Sequence, residues 1–213
     1  MNATAILPVK RFAGAKRRLG VAVTDSERHD LIVAMLRDVL EAISNARMIE
    51  RTIVVTGEPE AQQIAAGAGA ETIADTPEAD HSAAAVLGVE AALAHGAECV
   101  ALLPGDCPLL DAREIDRVLT GVPGSYVTVI PDRHGSGTNG LVLAPPDAIR
   151  PAFGEGSRER HVGLARAAGI PHSVDPVESL ALDLDTPADI IALTTALEMG
   201  GGKAKHTKRA LGI

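Results

Sequence analysis

Three aspartates offer this 213-residue chain its clearest chemistry. Asp106 follows the apolar run Leu102-Leu103-Pro104-Gly105, so a carboxylate stands just past what reads as a buried strand. Asp183 and Asp185 lie two residues apart in LALDLD, 180–185. On a strand they would share a face while Leu182 and Leu184 point the other way. Two such carboxylates repel unless a cation or an arginine lies between them. The helix beyond is capped by Thr186, so neither is needed for that purpose. Mg²⁺ takes oxygen ligands, usually one or two carboxylates with substrate phosphates and water. Asp106, Asp183 and Asp185 are therefore candidate metal ligands, and a solvated acidic edge is the alternative.

Three further stretches suit anions. Residues 10–18 hold Lys10, Arg11, Lys16, Arg17 and Arg18, a basic loop after the first strand that would suit a polyphosphate or simply be solvated. The stretch HGSGTNG, 134–140, carries a literal G-x-G-x-x-G at Gly135, Gly137 and Gly140. The dinucleotide-fold reading of that pattern fails, because the pattern must open a helix and here a strand follows. Its glycines beside Thr138 either present backbone N–H groups to an anion or turn a hairpin. In FGEGSRERH, 153–161, Ser157 reads as the N-cap of a helix whose start favours phosphate or carboxylate. Arg158, Arg160 and His161 add positive charge there, and an ordinary capped helix is the alternative.

The elements that must hold these residues alternate. TAILPV (4–9), RTIVVT (51–56), ETIADT (71–76) and ECVALLP (98–104) read as strands. Between the first two, Leu31, Met35, Val39 and Ile43 recur at helical spacing behind a candidate N-cap at Asp25, and HSAAAVLGVEAALAHG (81–96) reads as an Ala-rich helix. Asp111 and Glu114 form a capping-box pattern for another helix. This βαβ rhythm implies a mostly parallel sheet covered on both faces. Beyond residue 121, SYVTVIP and NGLVLAP are too close for a crossover helix and predict antiparallel neighbours. LALDLD reads as a last strand, and Thr186-Pro187 starts a final helix. One domain over residues 1–199 is expected, with 200–213 a flexible basic tail holding Lys203, Lys205, Lys208 and Arg209.

Composition narrows the classes. Lys and Arg number 20 against 28 Asp and Glu, a formal charge of −8, which argues against a nucleic-acid backbone partner. Only Phe12, Tyr126 and Phe153 are aromatic, too few for stacking single-stranded bases. Cys99 and Cys107 form neither a disulfide framework nor a zinc pattern and read as structural. With no signal-like start and no apolar run of about 20 residues, the expected location is the cytoplasm, with no membrane partner. Oligomeric state stays open, a homo-oligomer included.

Taken in order, PVKRFAGAKRRL, LLPGDCPLLD, GTNGLVL, FGEGSRERH and LDLDTPADI resemble the phospholactate/phosphoenolpyruvate guanylyltransferase family of coenzyme F-420 biosynthesis. The resemblance implies a three-layer α/β/α sandwich with a mixed, mostly parallel sheet, like the nucleotide-diphospho-sugar transferases and the glycosyltransferase-A fold. It implies GTP and either phosphoenolpyruvate or 2-phospho-L-lactate as substrates, pyrophosphate as product and Mg²⁺ as cofactor. Asp106, Asp183 and Asp185 would hold the metal. Lys16 and Asp106 would act at the reacting phosphate, Lys10, Lys16 and Arg18 would face the nucleotide, and Thr138, Gly154 and Ser157 would contact the acid. The Leu-Asn element of relatives has its counterpart here at His81-Ser82 or at Gly88-Val89-Glu90. The remaining alternatives are another nucleotide or acceptor on the same fold, such as a sugar phosphate or molybdopterin, and a non-catalytic nucleotide-sensing domain.

Overall fold

The computed structural model describes residues 3–75, 80–199 and 204–213; the end of the expected third strand at Thr76, and Lys203 of the tail, lie outside them. Among the described residues seven strands form one sheet: β1 (Ala3–Val9), β2 (Ile49–Thr56), β3 (Glu71–Ala74), β4 (Cys99–Leu102), β5 (Tyr126–Pro131), β6 (Thr138–Ala144) and β7 (His172–Val174). Their order is β3-β2-β1-β4-β6-β5-β7. Only β6 runs antiparallel to its neighbours, β4 and β5, as the short 132–137 connection requires. The helices are α1 (Asp25–Ser44), α2 (Pro59–Gly67), α3 (His81–Ala94), α4 (Ala112–Leu119), α5 (Ser157–Ala167), α6 (Pro187–Glu198) and α7 (Lys205–Ala210).

Alternation along the strands builds two cores. Ala5 and Leu7 of β1, with Cys99 and Ala101 of β4, pack with Leu31, Met35, Val39 and Ile43 of α1 and with residues of α2, α4 and α6. Ile6, Val100 and Leu102 turn the other way, onto Ala85 and Val89 of α3 and Val162 and Ala165 of α5. The result is three layers, with the inner strands apolar on both faces as buried parallel strands must be. Gly88 lets α3 lie against the sheet, since a Cβ there would sit 2.3 Å from Ile6 Cγ2. Among the described residues, no helix is long and apolar enough to cross a membrane.

Several local expectations are corrected. Thr24, not Asp25, caps α1, with Glu27 closing a capping box. Asp111 caps α4, but Glu114 accepts from the Ser179 N–H at 2.9 Å instead of closing a box. Residues 181–186 form no strand. Their backbone is occupied otherwise: the Ala181 carbonyl accepts from Arg133 N–H, and the N–H groups of Asp185 and Thr186 donate to Asp189 Oδ2 at 2.9 and 2.6 Å.

Within the expected basic tail, residues 204–213 include α7, which docks on α1. Buried Asp38 of α1 accepts from the N–H groups of His206 and Thr207, at 3.1 and 2.7 Å, and from the Thr207 hydroxyl at 2.6 Å. A carboxylate from another element thus caps α7, which has no side-chain cap of its own. Asp38, Glu41 and His206 bring ligand atoms within 4.8 Å of one another, and the capping role of Asp38 accounts for that cluster.

Candidate active site

Chain order reverses across the sheet between β1 and β4. From β1 the chain builds outward through β2 and β3, then returns to place β4 on β1's other side. In open α/β sheets such a switch point leaves a crevice beyond the carboxyl ends of the strands. Here the crevice is a cleft of about 800 Å³ lined by Lys10, Lys16, Arg18, Asp106, Thr138, Gly154, Ser157, Asp183 and Asp185, whereas Arg11, Arg17, Arg158, Arg160 and His161 do not line it.

Its floor is acidic. Asp106 arrives on the turn after β4, and Asp183 and Asp185 flank Leu184, whose side chain is buried in the core. That anchor keeps both carboxylates on the cleft side, although the segment is irregular. Asn139 Nδ2 donates to Asp183 Oδ1 at 3.2 Å and to the Leu180 carbonyl at 2.8 Å, joining β6 to this segment. Burial, reinforced by the charge of Asp106, pushes the Asp183 carboxyl above its ordinary range.

Lys16 stands at the centre. Its Nζ pairs with both Asp106 and Asp185. Burial alone would lower the ammonium's pKa, but the two carboxylates outweigh it and hold the group above the usual lysine range. Lys16 has φ 55°, a left-handed conformation that costs a side chain about 1–3 kcal/mol. Two anchors fix the loop around it: Phe12 and Leu19 are both buried, and the Phe12 N–H donates to Glu58 Oε2 at 3.0 Å. Lys10 and Arg18 line the same wall from exposed positions.

The opposite wall comes from the 132–138 turn and the 152–157 loop. Asp132 Oδ1 accepts from Ser136 N–H at 2.9 Å and so tightens the hairpin that brings Thr138 to the cleft; the glycines of this stretch do turn a hairpin. Gly154 and Gly156 have φ of 106° and 67°, which favour glycine. Gly156, not Ser157, is the N-cap of α5; Ser157 begins the helix, buried, and still lines the cleft.

The three basic residues expected to charge this wall do other work. Arg160 donates to the carbonyls of Ala152, Phe153 and Glu155 at 2.8, 3.3 and 2.7 Å, holding the loop bent. Arg158 pairs with Glu159 at 2.6 Å. His161 is fully buried, and burial, with the Arg160 charge, pushes its pKa down to about 4. Of the two placements for the Leu-Asn counterpart, His81-Ser82 opens α3, and His81 lines the cleft, whereas Gly88 packs on Ile6. Cys107 and Cys99 are buried; the Cys107 thiol lies against the Leu180 carbonyl, and burial, with Asp106, holds it well above its usual range.

Sequence reasoning missed Asn139, Asp132 and the role of His161. Asn139 was visible in GTNG, but its partner Asp183 is 44 residues away.

Solved structures share this fold. A nucleotidyl transferase from Methanothermobacter superposes with a TM-score of 0.69 at 16% identity, over 93% of this chain and 99% of that one. A 4-diphosphocytidyl-2C-methyl-D-erythritol synthase does so with a TM-score of 0.64 at 14% identity, over 92% and 98%. The three-layer architecture with its cleft at the switch point is the fold these structures share. More narrowly, the chain belongs to the family described as guanylyl transferase CofC like, whose model matches residues 3–213. A phosphoenolpyruvate guanylyltransferase of Conexibacter woesei is 42% identical over 99% of this chain and 96% of its own. A 3-phospho-D-glycerate guanylyltransferase of Phenylobacterium zucineum is 37% identical, over 89% and 88%. The protein is thus a nucleotidyltransferase enzyme, and the reading as a non-catalytic sensing domain falls away.

Proposed function

We propose that the enzyme transfers a guanylyl group from GTP to a small phosphorylated acid, phosphoenolpyruvate first among the candidates, and releases pyrophosphate. The observation that carries this reading is the cleft's division: a basic wall, an acidic floor and a third wall of small hydroxyl and glycine groups. Phosphoenolpyruvate leads because the relatives from Conexibacter woesei and Sphaerobacter thermophilus, 42% and 38% identical, bear its name. 3-Phospho-D-glycerate enters through the Phenylobacterium relative, and 2-phospho-L-lactate through the motif resemblance. The reading puts the reaction in the cytoplasm, as a step of coenzyme F-420 biosynthesis.

Its chemistry suits these residues. A phosphate monoester is largely a dianion at neutral pH, its second pKa being about 6, so no general base is needed. An acceptor phosphate oxygen forms a bond to the α-phosphorus of GTP, and the bond to the β-phosphate oxygen breaks. Lys16, Lys10 and Arg18 bind the triphosphate and offset charge gathering on the departing pyrophosphate. Thr138, Ser157 and the backbone at Gly154 orient the acid.

We assign a divalent cation to Asp106, Asp183 and Asp185 because all three line the one cleft, although among the described residues only Asp38, Glu41 and His206 bring ligand atoms within 4.8 Å of one another. The three aspartates are an all-oxygen donor set, two of them already share one cationic partner in Lys16 Nζ, and burial first, then the charge of Asp106, pushes the Asp183 carboxyl above its ordinary range. Mg²⁺ bound there would supply Lewis-acid polarisation of the phosphates. Replacing Asp106→Asn or Asp183→Asn is expected to lower turnover by a factor on the order of 1,000 while far-ultraviolet circular dichroism stays unchanged. Full activity in both variants would remove the metal assignment.

A further inference from the structure

The geometry points to His161 as a positioning residue that fixes the direction of the Thr138 hydroxyl hydrogen. It rests on the reading of Thr138 as a contact of the acidic substrate. The Ala152 backbone N–H reaches His161 Nε2 at 2.9 Å. A backbone amide can only donate, so Nε2 must present its lone pair. In a neutral imidazole the proton then resides on Nδ1, and Nδ1 lies 3.1 Å from Thr138 Oγ1. The Nδ1–H therefore donates, the threonine oxygen accepts, and the hydroxyl's own hydrogen is left to point elsewhere. Thr138 lines the cleft.

The direction matters because of what the cleft binds. A phosphate or carboxylate oxygen has no proton to give. A threonine that spent its hydrogen on the histidine would turn lone pairs toward an anion and repel it. With the tautomer fixed by Ala152, the same hydroxyl is held as a donor, and no energy goes to reorienting it when the acid arrives. The ring is itself immobilised edge-on against Phe153, with centroids 5.2 Å apart. Burial holds the imidazole neutral well below physiological pH, which keeps the second ring proton from forcing Ala152 away.

Two substitutions separate this role from packing. In His161→Asn the side-chain amide nitrogen sits where Nδ1 was and keeps the donor to Thr138. In His161→Gln the amide oxygen reaches toward Ala152 and the donor to Thr138 is lost. Both lose the ring, so both should melt earlier. His161→Gln should raise the KM for the acid by about tenfold and leave the KM for GTP within about twofold. His161→Asn should recover most of that loss. On a Thr138→Val background, His161→Gln should cost nothing further in KM. Equal KM values for the Asn and Gln variants, or an undiminished cost on the Thr138→Val background, would overturn the assignment.

A measurement without substrate stands beside the kinetics. Long-range ¹H–¹⁵N spectra of the intact protein, with the His161 signals assigned by their loss in His161→Gln, should show Nδ1 protonated and Nε2 bare at pH 7. A proton on Nε2 would overturn the proposal. Should wild-type protein release no pyrophosphate with any acid, the functional reading would fall, and the tautomer result would still decide the assignment of His161.

Discussion

Burial decides what the ionisable groups around the cleft can do. His161 is pushed down to about 4 by burial, with Arg160 contributing, whereas an unfolded histidine titrates near 6.5. Between those values the unfolded chain binds a proton that the folded chain refuses, so stability falls as pH drops through this window. The loss from this one group reaches roughly 3 kcal/mol at the acid end. Urea unfolding at pH 7.5 and pH 5 should therefore show a smaller pH dependence in His161→Gln than in wild type; identical dependences would contradict the buried neutral ring. Lys16 illustrates the opposite case, an ammonium kept charged because Asp106 and Asp185 outweigh its burial. At this scale the sequence was informative where a residue type stood without a structural reason, as with Asp106. It was silent where the partner is distant in the chain. Nothing in FGEGSRERH tells that His161 faces Thr138, 23 residues away, and so its charge was misread.

At the level of elements, helix caps carry much of the organisation, and some are supplied from elsewhere. Asp38 holds α7 through three donors while buried at 5% exposure. Asp38→Ala should leave those donors unpaired and cost roughly 3 kcal/mol, read as a lowered midpoint in urea unfolding. An unchanged midpoint would mean that α7 is held by something other than this carboxylate. The same lesson explains where reading by pattern failed. Alternation in 180–185 signalled correctly that Asp183 and Asp185 face one way and Leu184 the other. It signalled wrongly that the segment is a strand, because Asp189 captures the very N–H groups a ladder would use. The basic residues 205–209 look solvated in sequence, since the group that organises them lies in α1. The long elements were legible for the converse reason. The 3.6-residue spacing of Leu31, Met35, Val39 and Ile43 is satisfied by one face of α1 against one face of the sheet, a local pattern with a single use.

Across the whole molecule, topology does the positioning. Reversal of strand order between β1 and β4 opens the crevice, the loop after β1 lays Lys10, Lys16 and Arg18 on one side, and the β5–β6 hairpin brings Thr138 and Asn139 to the other. Residues from first to last thirds of the chain meet there, which is why no single motif defines the site and their order does. The central claim is guanylyl transfer to a phosphorylated three-carbon acid. Its most direct test is pyrophosphate release by the purified protein with Mg²⁺ and GTP, in separate reactions with phosphoenolpyruvate, 3-phospho-D-glycerate and 2-phospho-L-lactate, and with ATP, CTP and UTP in place of GTP. Release with GTP and phosphoenolpyruvate, and far less with the other nucleotides, is the expected result. Release that is equal for all four nucleotides, or absent with every acid, would contradict it.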